Sequence, residues 1–169
     1  MKIDIRKLSL SAMLICLDVV FTRMLAVNTP LMKVGFGFAA VAVSAILYGP
    51  LWAMLTAALG DFVGALLFPV GPFFPGFTVT AAVTGLIFGL SLYGRRESIR
   101  AAIIAAALNC LLVTLAANTA LIAYISGSSF QMLFAARAVQ FFIMFPVQAL
   151  VLIWLGKSRF IKFIIEKYK

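Results

Sequence analysis

The sequence predicts an all-α integral membrane protein, a bundle of six transmembrane helices with both termini cytoplasmic. Three observations carry this reading. Of 169 residues, 64% are hydrophobic and the mean hydropathy is +1.15, whereas soluble domains are nearer half apolar. Charged residues make up only 11% and gather between apolar runs instead of covering one face. All but three of the 14 Lys and Arg fall on one side of a bilayer when the runs are counted as six. The length accommodates one membrane domain, residues 1–169, and no separate soluble enzyme domain.

Turn-forming residues divide the chain. Span one covers residues 8–25 and stops before Asn28-Thr29-Pro30. Span two, residues 36–48, ends at Gly49-Pro50. It falls short of the roughly 20 residues a straight crossing needs, so it is expected to be tilted, re-entrant or buried by its neighbours. Span three is 51–67, and a Pro-, Gly- and Phe-rich connection leads to span four, 77–93. After Gly94-Arg95-Arg96-Glu97-Ser98 comes span five, 99–124, and after Ser126-Gly127-Ser128-Ser129 comes span six, 132–155. The tail, 157–169, alternates basic and apolar residues in the manner of an amphipathic surface helix.

Charge orients the bundle. Lys2, Arg6 and Lys7, then Arg95, Arg96 and Arg100, then Lys157, Arg159, Lys162, Lys167 and Lys169 share one side in a six-span chain. That side is cytoplasmic by the positive-inside rule. A miscount by one span would move the third cluster across and abolish the asymmetry. The net charge of +9 therefore reflects span flanks and no nucleic-acid partner is expected. The first apolar run lacks a small-residue cleavage pattern, so it reads as a retained span and not a signal peptide. Cys16 and Cys110 fall within spans, and with no His in the chain they read as small packing residues, not zinc ligands. No phosphate-loop motif is present, no catalytic cluster of nucleophile and base is apparent, and no cofactor is expected.

The opposite, outer side is where ligand chemistry is expected. Phe68, Phe73, Phe74 and Phe77 crowd the connection between spans three and four, and Phe36 and Phe38 follow the first outer loop. Phe lacks the polar tip that suits Trp and Tyr to an interface, so the cluster reads as a stacking pocket for a planar ligand. Arg23, Lys33 and Arg137 are the three outer cations. An Arg fork fits carboxylate or phosphate, and Gln140 lies one turn beyond Arg137. For Lys33, snorkelling to the interface competes with a ligand role.

Asp18 and Asp61 lie inside spans one and three, where carboxylates are functional candidates by default. A proton relay and a structural pairing with Arg23 or a helix end both remain open. Asp18 precedes Arg23 by five residues, so on an α-helix their faces diverge. Asn109, Asn118, Thr114 and Thr119 punctuate span five as interhelical hydrogen bonders, with Asn118 near enough to the outer end to touch a ligand. Thr78 and Thr80 open span four beside the Phe cluster. Ser9, Ala12 and Cys16 form a small-residue strip on span one that would let another helix approach.

Several of these positions carry a family resemblance. Arg23 with Leu25-Ala26-Val27-Asn28-Thr29-Pro30, Val34-Gly35-Phe36-Gly37-Phe38, Gly49-Pro50, Gly60-Asp61 and Phe73-Phe74-Pro75-Gly76-Phe77-Thr78 resemble the substrate-binding S components of energy-coupling factor vitamin importers, and within them the folate-specific branch. The resemblance spans the whole chain. It implies an outward-facing ligand pocket built from the outer loops and spans four to six, in a multi-pass protein of the cell membrane. It implies docking to a transmembrane coupling protein through the first spans, with two cytoplasmic ATPases driving the cycle. For docking, this chain has Ala12-x-x-x-Cys16, with Ser9 one turn earlier, in place of the family's Ala-x-x-x-Ala.

A flat pterin, an aryl ring and two carboxylates match the chemistry available outside. The ligand set expected for folate is Arg23, Asn28, Lys33, Phe36, Phe68, Phe74, Phe77, Thr78, Asn118, Tyr124, Arg137 and Gln140. Riboflavin as an alternative vitamin, and a free-standing proton-coupled transporter using Asp18 or Asp61, are the competing expectations. A cationic vitamin such as thiamine suits three outer cations poorly.

Overall fold

Long apolar runs that must cross a bilayer can satisfy their backbone only by coiling on themselves, and this chain does so throughout. The computed structural model describes residues 5–28, 33–69, 74–127 and 130–168. Helix α1 (Ile5–Val19) winds into a π-helical turn, Val20–Met24. A two-residue antiparallel hairpin follows, β1 (Val27–Asn28) with β2 (Lys33–Val34), pairing Asn28 with Lys33 and Val27 with Val34. Then come α2 (Gly37–Tyr48), α3 (Pro50–Leu67) and α4 (Pro75–Leu92). Helix α5 (Ile99–Leu108), a π-helical stretch (Asn109–Ala117) and α6 (Asn118–Ser126) follow one another without a break. Helix α7 (Phe130–Lys157) and α8 (Arg159–Tyr168) complete the bundle.

The punctuation has physical causes. Pro50 and Pro75 occupy the first helical positions of α3 and α4, where a missing N–H costs nothing. Gly49, at φ 86°, is the single residue between α2 and α3. Its N–H closes one helix on Ala45 O (3.1 Å) and its carbonyl opens the next to Ala53 N (3.1 Å). A side chain there would be strained.

By length and composition, four helical stretches can cross a membrane: Pro50–Leu67, Pro75–Leu92, Ile99–Ile125 and Arg137–Lys157. Helix α2 has 12 residues, short of the roughly 20 of a straight crossing. It packs against α1, α3, α4 and α7, with eight of its residues buried. Burial by neighbours, one of the three expectations for span two, is what the structure shows.

The core is built largely of alanine, with Ala42, Ala45, Ala53, Ala57, Ala102, Ala105 and Ala106 filled in by Phe88, Leu92 and Leu152. Small residues let helix backbones come close, which is how helices associate where lipid is as apolar as leucine. The most extensive pair, α3 with α4, shows it best. Gly85 and Gly89 form a Gly-x-x-x-Gly strip against the backbone of Ala53, Met54 and Pro50, where a Cβ would collide. Ser44 and Thr56 hydroxyls, 3.0 Å apart, tie α2 to α3 inside the core.

Cys110 is buried as expected, its thiol 3.2 Å from Gln148 Oε1. Cys16 is not a core residue. It lies exposed on α1 with Ser9 and Ala12, because the buried side of that helix is taken by Ser11, Leu14 and Asp18. The tail is helical, but Ile161 on α8 belongs to the core, so part of its apolar side packs on the bundle.

Substituting Gly89→Ala should lower stability by about 1–3 kcal/mol, because the new methyl meets rigid backbone on α3. Leu90→Ala, one residue along but exposed, should leave the thermal unfolding of the detergent-solubilised protein nearly unchanged.

Candidate ligand site at the outer end

Two polar assemblies tie the helices together, one toward the end of the bundle opposite the α2–α3 link and one reaching from that end into the middle. The first centres on Asp61 in α3. Its Oδ1 accepts from Arg23 Nη2 at 3.3 Å, and its Oδ2 accepts from Thr78 Oγ1 at 3.0 Å. Arg23 Nη2 also reaches Asp61 O at 3.5 Å. One carboxylate thus joins α1, α3 and the first turn of α4. The Arg23 side chain is only 10% exposed, and its Nε lies against Gly64 with no hydrogen-bond partner among the described residues.

Asp18, 5% exposed, fits against Gly37 and Gly60, where any Cβ would overlap its carboxylate. Gly37 begins α2, and the positive end of that helix favours an anion there. Asp18 and Arg23 were expected to diverge, but they address Gly60 and Gly64, one turn apart on α3. The reason is the π-helical turn. Leu25 N bonds Val20 O at 3.1 Å, five residues back, and this wider winding brings positions five apart nearer the same face. A cavity of about 130 Å³ lies beside the two acids, lined by Asp18, Asp61, Thr22 and Thr84 among apolar neighbours.

The second assembly links α4 to the α5–α6 rod and α7. Thr80 Oγ1 lies 2.9 Å from both Asn118 Oδ1 and Phe77 O, so its one proton serves either. Thr84 Oγ1 lies 2.8 Å from Asn109 Oδ1, and Asn109 Nδ2 donates to Gln148 Oε1 at 3.2 Å. Asn109 therefore bonds between helices, as expected of it. Thr84 and Gln148 went unremarked in the sequence, although isolated polar residues in apolar runs were the signal. Thr114 contributes its carbonyl, which receives Arg137 Nη1 at 3.4 Å and Thr119 Oγ1 at 3.5 Å.

Arg137 on α7 is 6% exposed. Its Nε finds no hydrogen-bond partner among the described residues, where the long bond from Nη1 to the Thr114 carbonyl is the one tie it makes. Gln140, one turn on, is buried as well. Beside them, Phe74 meets Phe77 edge-on and Tyr124 at a tilt, each at 6.3 Å between ring centres. Tyr124 is 80% exposed. Phe36 leans on Phe38 at 6.3 Å and remains accessible, as does Phe68 at the end of α3.

The expected ligand residues thus fall into groups. Arg23 and Thr78 converge on Asp61. Phe74, Phe77 and Tyr124 form an aromatic patch between α4 and α6. Asn118 bonds to Thr80 on α4, while Arg137 and Gln140 are buried one turn apart on α7. Asn28 and Lys33 are opposed in the hairpin backbone, and their side chains, like Phe73, lie outside the described residues.

If Asp61 is the counter-ion that holds Arg23, Asp61→Asn and Arg23→Gln should each destabilise the protein by about 1.5–3 kcal/mol. The double variant should lose clearly less than the sum, with a coupling of about 0.5–3 kcal/mol. Thermal unfolding of the four proteins measures it, and strict additivity would separate the two residues.

Comparison with known proteins bears on what this end binds. The family described as ECF transporter, substrate-specific component, matches residues 6–156. The chain is 39% identical over 141 residues to the folate transporter FolT of Clostridium novyi (strain NT), covering 83% of this chain and 82% of that relative. It is 35% identical over 153 residues to the folate transporter FolT of Leuconostoc mesenteroides subsp. mesenteroides, covering 87% and 82%. Among solved structures, FolT bound with folic acid matches with a TM-score of 0.87 and 29% identity, over 91% of this chain and 96% of that one. An all-α multi-span bundle matched along nearly its whole length leaves one assignment: the chain belongs to the family of ECF transporter substrate-specific components.

Proposed function

We propose that this protein is the folate-binding subunit of an ECF-type importer, capturing the vitamin outside and delivering it inward with a coupling protein and two ATPases. It is a binding subunit and not an enzyme, in keeping with its family. The observation that carries the ligand assignment is Arg137. A guanidinium buried beside a carbonyl, without a carboxylate among the described residues, is costly until an anion arrives. The glutamate carboxylates of folate supply that anion, and a fork–fork geometry is available to them. The aromatic patch of Phe74, Phe77 and Tyr124 suits a planar pterin or aryl ring. Asn118 and Gln140 offer amide groups to the ring edges. The two relatives named as folate transporters, and the structure of FolT with folic acid, point to the same ligand.

The vitamin is assigned to the α4–α6–α7 side. The cavity at Asp18 and Asp61, about 130 Å³, is below the roughly 300–1,000 Å³ of small-molecule pockets. Asp61 is engaged by Arg23 and Thr78, an arrangement that favours a structural role over a proton relay. Asn28, Lys33, Phe36 and Phe68 belong to the loops that would close over the ligand, and Arg23 anchors the first of them.

In the membrane, this reading places six spans in the cell membrane with both termini cytoplasmic. Ser9, Ala12 and Cys16, all exposed on α1, form the face offered to the coupling protein.

Calorimetric titration of the purified, detergent-solubilised chain with folate, riboflavin, thiamine and biotin tests the proposal. Saturable heat with folate alone is expected, and Arg137→Ala should weaken it by about 2 kcal/mol or more. Unchanged affinity would remove Arg137 from the site. No folate heat, together with uptake by the reconstituted chain driven by a pH gradient, would replace this reading with a secondary carrier.

A further inference from the structure

The opposite end of the bundle carries a charge surplus that ligand capture does not use. There the turn between α4 and α5 meets the corner between α7 and α8. Gly156 packs on the carbonyl of Arg96 so closely that a Cβ would strike it. That contact sets the turn that carries Arg95, Arg96 and Arg100 against the corner that carries Lys157, Arg159 and Lys162. All six are exposed except Arg96, whose side chain is 21% accessible. Glu97 is the one described carboxylate in this neighbourhood. It is 69% exposed and touches Arg96 Nη2 at a long 3.4 Å. Arg96 Nη1 is buried with no hydrogen-bond partner among the described residues. Glu166 of α8 is the other nearby acid in sequence, and its side chain lies outside the described residues.

The aromatic residues fix the level of this patch. Both Trp residues are at this end, Trp52 in the first turn of α3 and Trp154 in the last turns of α7, the latter 70% exposed. Tyr48 rings with Trp52 at 6.0 Å, and Tyr93 covers Gly49. Amphipathic Trp and Tyr collect at the depth of lipid headgroups. The other end has no Trp, and Phe outnumbers its one Tyr, Tyr124. Phe163 of α8, next to Lys162, adds a largely exposed apolar group, 61% accessible.

We propose that the junction of the α4–α5 turn with the α7–α8 corner binds the phosphate headgroup of an anionic phospholipid, with Arg96 supplying the inner donor. Basic pockets between helix ends at headgroup depth are suited to this ligand, and the arginine fork fits its phosphate. A lipid is favoured over a soluble protein partner because the cations sit at the ends of spans, level with the Trp and Tyr belt.

Native mass spectrometry of the full chain in detergent tests this, with phosphatidylglycerol, phosphatidylcholine and inorganic phosphate added in separate titrations. Phosphatidylglycerol should be retained where phosphatidylcholine is not, and Arg95→Gln with Arg96→Gln should weaken it by about fivefold per charge removed. Helicity and thermal unfolding check that the variant folds. Arg100→Gln with Arg159→Gln, both exposed, is the alternative pair should it not fold. Equal retention of the two lipids, or retention unchanged in the folded variants, would overturn the proposal. So would saturation by inorganic phosphate alone, which would make this a free-anion site. Variants that keep lipid but lose assembly with the coupling proteins would identify a protein interface instead.

Discussion

Nothing in the hydrocarbon region can hydrogen-bond to solvent, so each polar group placed there must be answered by another part of the same chain. The bundle is organised around that constraint. Asp61 answers Arg23 and Thr78 together, and in doing so ties the base of the α1–α2 loop to that of the α3–α4 loop. Thr84, Asn109 and Gln148 answer one another across three helices. Among the described residues Arg137 is answered least completely, by a single carbonyl at 3.4 Å. An incomplete answer in a buried place is where a ligand can gain most, since its own charge replaces the missing partner.

The same constraint explains the two π-helical stretches. A π-helical turn shifts hydrogen bonding by one residue and re-aims the side chains around it. In α1 it turns Arg23 toward α3. In the α5–α6 rod it accompanies the carbonyl of Thr114, which is doubly used, by Thr119 from its own helix and Arg137 from α7. Both stretches lie at the ligand end or approach it. Winding departs from α-helical at these two stretches and remains regular in α2, α3 and α4.

Much of the fold was legible in the sequence because its signals are local. Gly49-Pro50, Pro75 and the run from Gly94 to Ser98 mark helix ends by chain chemistry, and the helices end within a few residues of those marks. The amides of span five were legible as polar groups that need partners. What could not be read is long-range direction. Arg23 and Asp61 are 38 residues apart, and an α-helical wheel separates Arg23 from Asp18 because it assumes regular winding. The hairpin at Asn28 and Lys33 was hidden for a related reason, since two residues per strand are too few to show alternation. Gly85 and Gly89 were overlooked among many small residues, because a Gly-x-x-x-Gly strip acquires meaning only once its facing backbone is known.

The distribution of chromophores has a practical consequence. Trp52 and Trp154 share the basic end, while Tyr124 stands with the Phe74 patch at the other. Each α-helical residue advances the chain by about 1.5 Å, so the 18 residues of α3 put roughly 27 Å between its ends. Excited at the red edge of its absorption, where tyrosine does not absorb, indole emission therefore reports on the basic end of the bundle alone, without an attached label.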